Sequence, residues 1–344
     1  MKYVYSICSL FLFLACNQPG EKQNICYDYY PFVYQRDSIH IGDKNTCYFS
    51  EMGKPTFAIL NTLTQYKEEY LLAFCDACQI LSLSKENLKV DTFPVPEYFW
   101  GSELFVEHDS LKILSGGEHE KGGIFFYYQY YNEPTKTWVT LDTIPNPLRT
   151  FGVTYEDEDY KVLYSERGEY GNYLIFVDKS TGKEYLWCYP TFKLLKYHGY
   201  YYTIGYKTVC RINDPKTGIS YDGRLHKYLS FDSLSDYKQA QDSLLYANYE
   251  SEAIIESGFV VDDELYFVVN DSVETYIAKI DNGELQKVFG LGEKLHIVSD
   301  SHHRRGFNVS DSTVCIGANG NDYSYLFYVL DINGRKVRLI KVSY

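Results

Sequence analysis

From residue 55 onward the chain alternates short apolar runs with polar turns. Tyr173-Leu-Ile-Phe-Val177 is apolar at every position, the pattern of a strand covered on both faces. A strand, a polar turn and a second strand recur six times. Ile80–Asn87 leads to Leu88–Phe93, and Phe125–Tyr131 leads through Asn132–Thr135 to Trp138–Leu141. Tyr173–Val177 leads through Asp178–Gly182 to Tyr185–Cys188, and Val209–Ile212 through Asn213–Gly218 to Ile219–Tyr221. Tyr276–Ile280 leads through Asp281-Asn-Gly283 to Leu285–Phe289, and Leu326–Leu330 through Asp331–Gly334 to Lys336–Val342. Asn-Gly pairs between apolar runs are hairpin chemistry, because both residues accept positive φ.

Two more strands precede each hairpin, the second beginning near Tyr70, Leu111, Tyr160, Tyr200, Leu265 and Thr313. The mean interval is (313 − 70)/5, or about 49 residues. A four-stranded unit cannot bury both faces alone, so six such units must stack, and a radial stack at this period is a β-propeller. The expected fold is therefore all-β: a six-bladed propeller of four-stranded blades over 55–344, with an insertion at 222–252. Within it, Asp232–Tyr246 has apolar residues at 234, 237, 244 and 245, which predicts one short helix. A pair of β-sandwiches or a β-helix is the alternative. Residues 16–54 fall outside the repeat, and Tyr27–Tyr34 and Ser38–Ile41 are expected as strands forming a cover or an added outer strand.

The rhythm resembles that of six-bladed propellers of the TolB-like and NHL-like kind found on Gram-negative lipoproteins. The Trp-Asp dipeptide of WD40 blades is absent, and only three Trp exist where a quinoprotein propeller would repeat them. Tyr131–Trp138 faintly resembles the Asp-box turn of sialidases, with Glu133 for Asp and Thr135 for Gly.

The N-terminus carries an address. Lys2 precedes an apolar run, Tyr3–Leu14, too short to span a bilayer and suited to a secretory signal over residues 1–15. Phe13-Leu-Ala-Cys16 resembles a bacterial lipobox, which implies acylation of Cys16 and an anchor to the outer membrane, since residue 17 is Asn rather than Asp.

Charge narrows the partners. With 46 Asp and Glu against 33 Lys and Arg, the net charge is −13, and a nucleic-acid partner is excluded as an expectation. The 37 Tyr favour strands. Nine Cys at irregular spacing do not form a disulfide framework. Cys75 and Cys78 follow a strand and so read as a structural disulfide or core thiols rather than a redox pair.

Strand counting sorts the loops onto two ends. One end receives the long segments with Trp100, Glu118, His119, Arg149, Arg167, Glu169, His302 and Arg304, together with the 222–252 insertion; the other receives short turns. These eight residues are the ligand-face candidates, because loops on a rigid scaffold carry function and Arg clamps anions bidentately. Asp300 and Asp311 are expected to pair with the His302–Arg305 stretch if it is a plain surface. Glu156–Asp159 is expected to be a solvated tip. No catalytic set, metal site or cofactor motif is evident. The expected function is a lipid-anchored envelope propeller, non-catalytic, binding a protein, peptide or glycan and touching the membrane only through its lipid. The alternative is a glycan-active hydrolase or lyase using carboxylates such as Glu118 and Glu169 at the channel mouth.

Overall fold

Six antiparallel four-stranded sheets follow one another along the chain and stand in a ring, forming a six-bladed β-propeller. The computed structural model describes residues 24–25, 32–41, 48–51, 54–57, 60–74, 79–97, 99–107, 109–118, 124–144, 152–166, 172–187, 191, 193–221, 244–297, 311–319 and 326–343. The first blade is Thr62–Tyr66, Glu69–Phe74, Gln79–Ser84 and Val90–Phe93; the second is Trp100–Glu107, Ser110–Glu118, Ile124–Asn132 and Thr137–Ile144. The third is Gly152–Glu156, Tyr160–Glu166, Asn172–Asp178 and Glu184–Trp187; the fourth is Lys193–Tyr197, Tyr200–Ile204, Thr208–Ile212 and Leu244–Ala247. The fifth is Ile254–Val261, Glu264–Asn270, Thr275–Asp281 and Glu284–Gly290; the sixth is His296–Ile297, Thr313–Asn319, Leu326–Asn333 and Lys336–Ser343.

First strands touch between the first and second, third and fourth, and fourth and fifth blades, which makes them the inner strands; in the sixth blade Thr313–Asn319 takes that place, touching the first strands of the fifth and first. The ring thus has a turn end, where first strands hand over to second and third to fourth, and a loop end, where second strands hand over to third and each blade to the next. Turn chemistry explains the first end. Asn282 and Gly283 both have positive φ, 51° and 80°, as a type I′ hairpin requires. Asp262 and Asp263 do the same at 50° and 63°, a strain that side-chain contacts offset.

The core lies in the seams between blades. Tyr70, Leu71, Leu72, Ala73 and Phe74 are all essentially unexposed, since a second strand has a neighbouring blade on each face. Phe74 meets Phe327 edge-on across the seam of the first and sixth blades, with centroids 5.5 Å apart. Each fully buried Leu, Ile or Phe stabilises by about 2 kcal/mol.

The turn end is also stitched circumferentially. Lys67 of the first blade pairs with Glu133 of the second, and Lys196 of the fourth with Asp157 of the third at 2.7 Å. His198 of the fourth contacts Asp263 of the fifth at 2.6 Å, and Arg335 of the sixth pairs with Asp262 of the fifth.

Three expectations need correction. Ile219–Tyr221 is not the outer strand of the fourth blade; it pairs with Glu184–Leu186 as a fifth strand on the third. The outer strand of the fourth blade is Leu244–Ala247, paired with Thr208–Cys210. The last part of the expected helix, Leu244–Tyr246, is therefore strand, because a short apolar run satisfies either period and the open edge of Thr208–Ile212 was available; the remainder of Asp232–Tyr246 lies outside the described residues. The insertion consequently leaves and returns at the turn end, between third and fourth strands, and not at the loop end. Among the described residues the one helical turn is Pro215–Thr217, capped by Asp214, whose carboxylate accepts from Lys216 N–H at 2.9 Å.

At the N-terminus one continuous strand, Val33–His40, takes in the end of the first expected strand and most of the second; residues 27–31 of the first lie outside the described residues. The continuous strand runs parallel to Lys336–Ser343, from Val33 opposite Lys336 to His40 opposite Ser343. It is an added outer strand on a sixth blade already complete, as the repeat count implied. Asn24–Ile25 pairs outside it, opposite Gln35 and Tyr34. Tyr48–Glu51 and Lys54–Phe57 form a separate hairpin, and the first strand of the first blade is Thr62–Tyr66.

Candidate functional site

The inner strands place polar side chains on one tier around the axis. Thr62, Glu103, Lys193 and Ser257 each stand four residues before the last residue of their blade's first strand. All four are buried, at 4%, 1%, 2% and 4% exposure. A lysine so enclosed is the exception that calls for an account, because an ammonium loses its hydration there.

Lys193 Nζ lies 3.5 Å from the Thr313 carbonyl of the sixth blade, two blades away. Burial pulls its pKa down to about 7, and the neighbouring Asp311 carboxylate acts in the opposite direction. Asp311 is the turn residue just before Thr313–Asn319. Its own carboxyl is pushed up, by burial first and by Asp157 in addition, against the pull of the Lys196 N–H, the Tyr155 hydroxyl and the Lys193 charge. Tyr155 of the third blade donates to Asp311 Oδ2 at 3.3 Å, and the Asp311 carbonyl accepts from Val260 N–H of the fifth at 2.6 Å. One turn of the sixth blade is thereby tied to the third, fourth and fifth, and the axis is bridged at the turn end.

Asp157 extends this cluster outward. Its carboxylate accepts from Tyr201 at 2.5 Å, from Lys196 Nζ at 2.7 Å and from Tyr160 N–H at 2.8 Å. Burial pushes its pKa up, but these donors outweigh burial and hold it below the ordinary carboxylate range. The Glu156–Asp159 tip is largely exposed, as expected of a solvated tip, but its half-buried Asp157 also clasps the third blade to the fourth. Desolvation, with Asp157 beside it, raises the Tyr201 phenol.

An amine of near-neutral pKa is what Schiff-base and general-base lysines need. Lys193, however, faces a backbone carbonyl from a site closed to solvent, so the arrangement serves as a polar plug. Among the described residues no group of three or more His, Cys, Asp or Glu is placed to hold a metal ion. Among them, too, no helix is long and apolar enough to cross a membrane.

Of the sequence-derived candidates, Trp100 and Glu118 have described backbone. Gly116 stands opposite Trp100 and Glu118 opposite Ile124, so both positions sit at the loop end of the second blade. His119, Arg149, Arg167, Glu169, His302, Arg304 and Cys16, like Cys75 and Cys78, lie outside the described residues. The connections carrying His119, Arg149, Arg167 and Glu169 are flanked at the loop end, by Glu118 and Ile124, Ile144 and Gly152, and Glu166 and Asn172. The stretch with His302 and Arg304 differs from the expected sorting: it follows the first strand of the sixth blade, His296–Ile297, and ends at Asp311 on the turn end. Asp311 itself has Tyr155 and Lys196 as hydrogen-bond donors. Trp138, in the Asp-box-like turn, donates to the Pro94 carbonyl at 2.8 Å and so fastens the second blade to the first.

Sequence reasoning missed Lys193 and Tyr155, and took Asp311 only as a surface partner of the His302–Arg305 stretch. Lys193 opens the run Lys193-Leu-Leu-Lys-Tyr197, where it reads as an ordinary polar strand start; the one usable signal is its position at the level of Thr62, Glu103 and Ser257 once strand ends are aligned.

No family model matches the chain, and no curated protein matches it. Among solved structures, a chain from S. cerevisiae mutant Dbp5 bound to Nup159, mutant Gle1, IP6 and ADP is similar over 90% of this chain and 85% of that one, at 9% identity and TM-score 0.31. PorZ of Porphyromonas gingivalis, a bacterial surface component of the type-IX secretion system, is similar at 8% identity and TM-score 0.31, over 86% of this chain and 46% of PorZ. This chain thus spans about half the length of PorZ.

Proposed function

We propose that this chain is a lipid-anchored propeller of the cell envelope, akin in its rhythm to TolB-like and NHL-like lipoproteins, that binds a protein, peptide or glycan at the loop end without catalysing a reaction. The observation that carries the reading is the bridged axis. Asp311, Lys193 and Tyr155 bridge the axis at the turn end, and the connections with Arg149, Arg167 and Glu169 begin and end at the other end. Binding sites gather on loops that a rigid scaffold positions. Acylation of Cys16, with the outer membrane as destination, supplies the location.

The test has two readouts. Metabolic labelling with an alkyne fatty acid should tag the protein, and Cys16→Ala should lose the tag and leave the membrane fraction. Arg167→Ala should then weaken association with whatever partner copurifies with the anchored protein while the melting temperature holds. A wild-type chain that stays unlabelled and soluble contradicts the anchoring, and a measurable turnover of glycans lost with Glu118→Gln or Glu169→Gln would replace binding by catalysis.

A further inference from the structure

Two turns at the loop end carry the most exposed large hydrophobic side chains among the described residues, Val273 at 77% and Tyr249 at 73%. Residues 248–253 connect the fourth blade to the fifth, and residues 271–274 join the second and third strands of the fifth. Both turns rise from one seam. Tyr246 and Ala253, which flank the first, share a buried cluster with Val269 and Tyr276, which flank the second. A single exposed apolar side chain needs no account, but two at the rim of one seam do.

Both turns are braced. Asn248 Oδ1 accepts from Ser251 N–H at 2.9 Å, and Lys207 Nζ donates to the Ala253 carbonyl at 2.8 Å. Asp271 Oδ1 accepts from Val273 N–H at 2.7 Å and from Glu274 N–H at 2.8 Å. Lys294 Nζ donates to the Ser272 carbonyl at 3.1 Å. The backbone thus holds Tyr249 and Val273 out in water at fixed places, and a partner that covers them meets anchors already ordered.

Charge at this rim has one sign to spare. Lys207 and Lys294 are engaged by backbone carbonyls and Lys287 by Glu274, while Glu293 is matched by Arg36. Glu250 and Glu252, on the same turn as Tyr249, are exposed and have no ion-pair partner among the described residues. Two unmatched carboxylates therefore stand beside the apolar tips. They repel an anionic glycan, a nucleic acid or an anionic lipid. A neutral glycan gains nothing from the two charges, and the aliphatic Val273 offers it no hydrogen bond. A protein segment with an apolar side chain next to Lys or Arg meets both features at once.

We propose that the loop-end rim between the fourth and fifth blades docks a protein segment of that chemistry, its apolar side chain against Tyr249 and Val273 and its cations facing Glu250 and Glu252. This rests on the loop end being the binding end, and adds to that reading a place and a class of partner.

The probe is a random peptide library displayed on phage and selected against the full chain, with the enriched peptides then synthesised and measured by fluorescence anisotropy. Selected peptides are expected to combine Leu, Phe or Trp with Lys or Arg. Tyr249→Ala and Val273→Ser are each expected to weaken their binding about tenfold. Glu250→Gln together with Glu252→Gln should weaken it and flatten its dependence on salt. Val33→Ser is the control, since Val33 is 55% exposed but stands opposite Lys336 at the turn end, and it should leave binding unchanged. Every side chain changed is exposed, so the melting temperatures should match wild type. No enrichment, acidic or uncharged selected peptides, or equal binding to Tyr249→Ala and Val273→Ser overturns the proposal. A neutral glycan that is bound on an array and lost with Tyr249→Ala overturns it too, by replacing the protein partner. Peptides lost with Arg167→Ala instead put the partner elsewhere on the loop end, so the proposal falls and the loop-end reading stands. Peptides lost only with Val33→Ser remove both.

Discussion

Arg338 and Asp37 come from opposite ends of the chain and form an almost enclosed ion pair: Nε donates to Oδ2 at 2.6 Å, and the side chains are 18% and 6% exposed. The same guanidinium donates through Nη1 to the Lys85 carbonyl at 2.5 Å. One arginine thus joins the added N-terminal strand, the sixth blade and the first blade. Tyr70 donates to Asp331 across the same seam, and Gln65 Nε2 does so at 3.0 Å.

Removing one member of a buried pair strands the other. Asp37→Ala is therefore expected to lower unfolding stability in urea by about 3 kcal/mol. The double variant Asp37→Leu with Arg338→Met should lose clearly less, since no buried charge remains. A single variant indistinguishable from wild type would show that the N-terminal strand contributes nothing to ring closure.

Lys193 makes a signed claim about pH. Its pKa in the folded protein is about 7, below the value of a free lysine, so between those two values the unfolded chain binds the extra proton. Stability from this group therefore rises with pH across that window and is lost as pH falls through 7. Lys193→Met should be more stable than wild type at pH 6, with the gap closing toward pH 9. Parallel denaturation midpoints for the two proteins over that range would contradict the burial of the amine.

Asp157 acts with the opposite sign. Its carboxyl is held below the ordinary range by Lys196, Tyr201 and backbone donors, against burial. Its contribution is complete above the usual carboxylate pKa and disappears as pH falls through the lowered value. Asp157→Asn should lose stability at neutral pH and show a shallower acid limb in thermal melts followed by circular dichroism.

Two glycines mark where blades approach most closely. A Cβ on Gly317 would lie 2.6 Å from Leu60 Cδ2, and one on Gly258 would run into Ile204. Overfilling a packed seam costs about 1–3 kcal/mol, so Gly317→Ala and Gly258→Ala should both lower the melting temperature. A melting temperature equal to wild type for both would mean the seams are loosely packed.

Most of the ring was legible because hairpin chemistry is local. Asn282-Gly283 and Gly334 announce their turns whatever surrounds them, and the spacing between apolar runs counts the blades. What failed was pairing between distant strands. Ile219–Tyr221 has the look of any outer strand, and nothing in it says that Glu184–Leu186 will take it. Leu244–Tyr246 fits two periods, so its state depended on an open strand edge elsewhere. The strand Val33–His40 was obscured by Gln35, Arg36, Asp37 and Ser38, which are polar because they lie at a sheet edge and answer partners such as Arg338 and Glu293. Lys193 and Thr313 are 120 residues apart, and no short-range pattern joins them.

The central claim is that the loop end receives the partner while the turn end is bridged across the axis by Asp311, Lys193 and Tyr155. Photo-crosslinking in living cells tests it most directly, with a benzophenone amino acid at position 273 in one strain and at 284 in another, each chain otherwise intact. Discrete protein or glycan adducts from 273, with none from 284, are the expected result. Protein adducts confined to 284 would contradict the account.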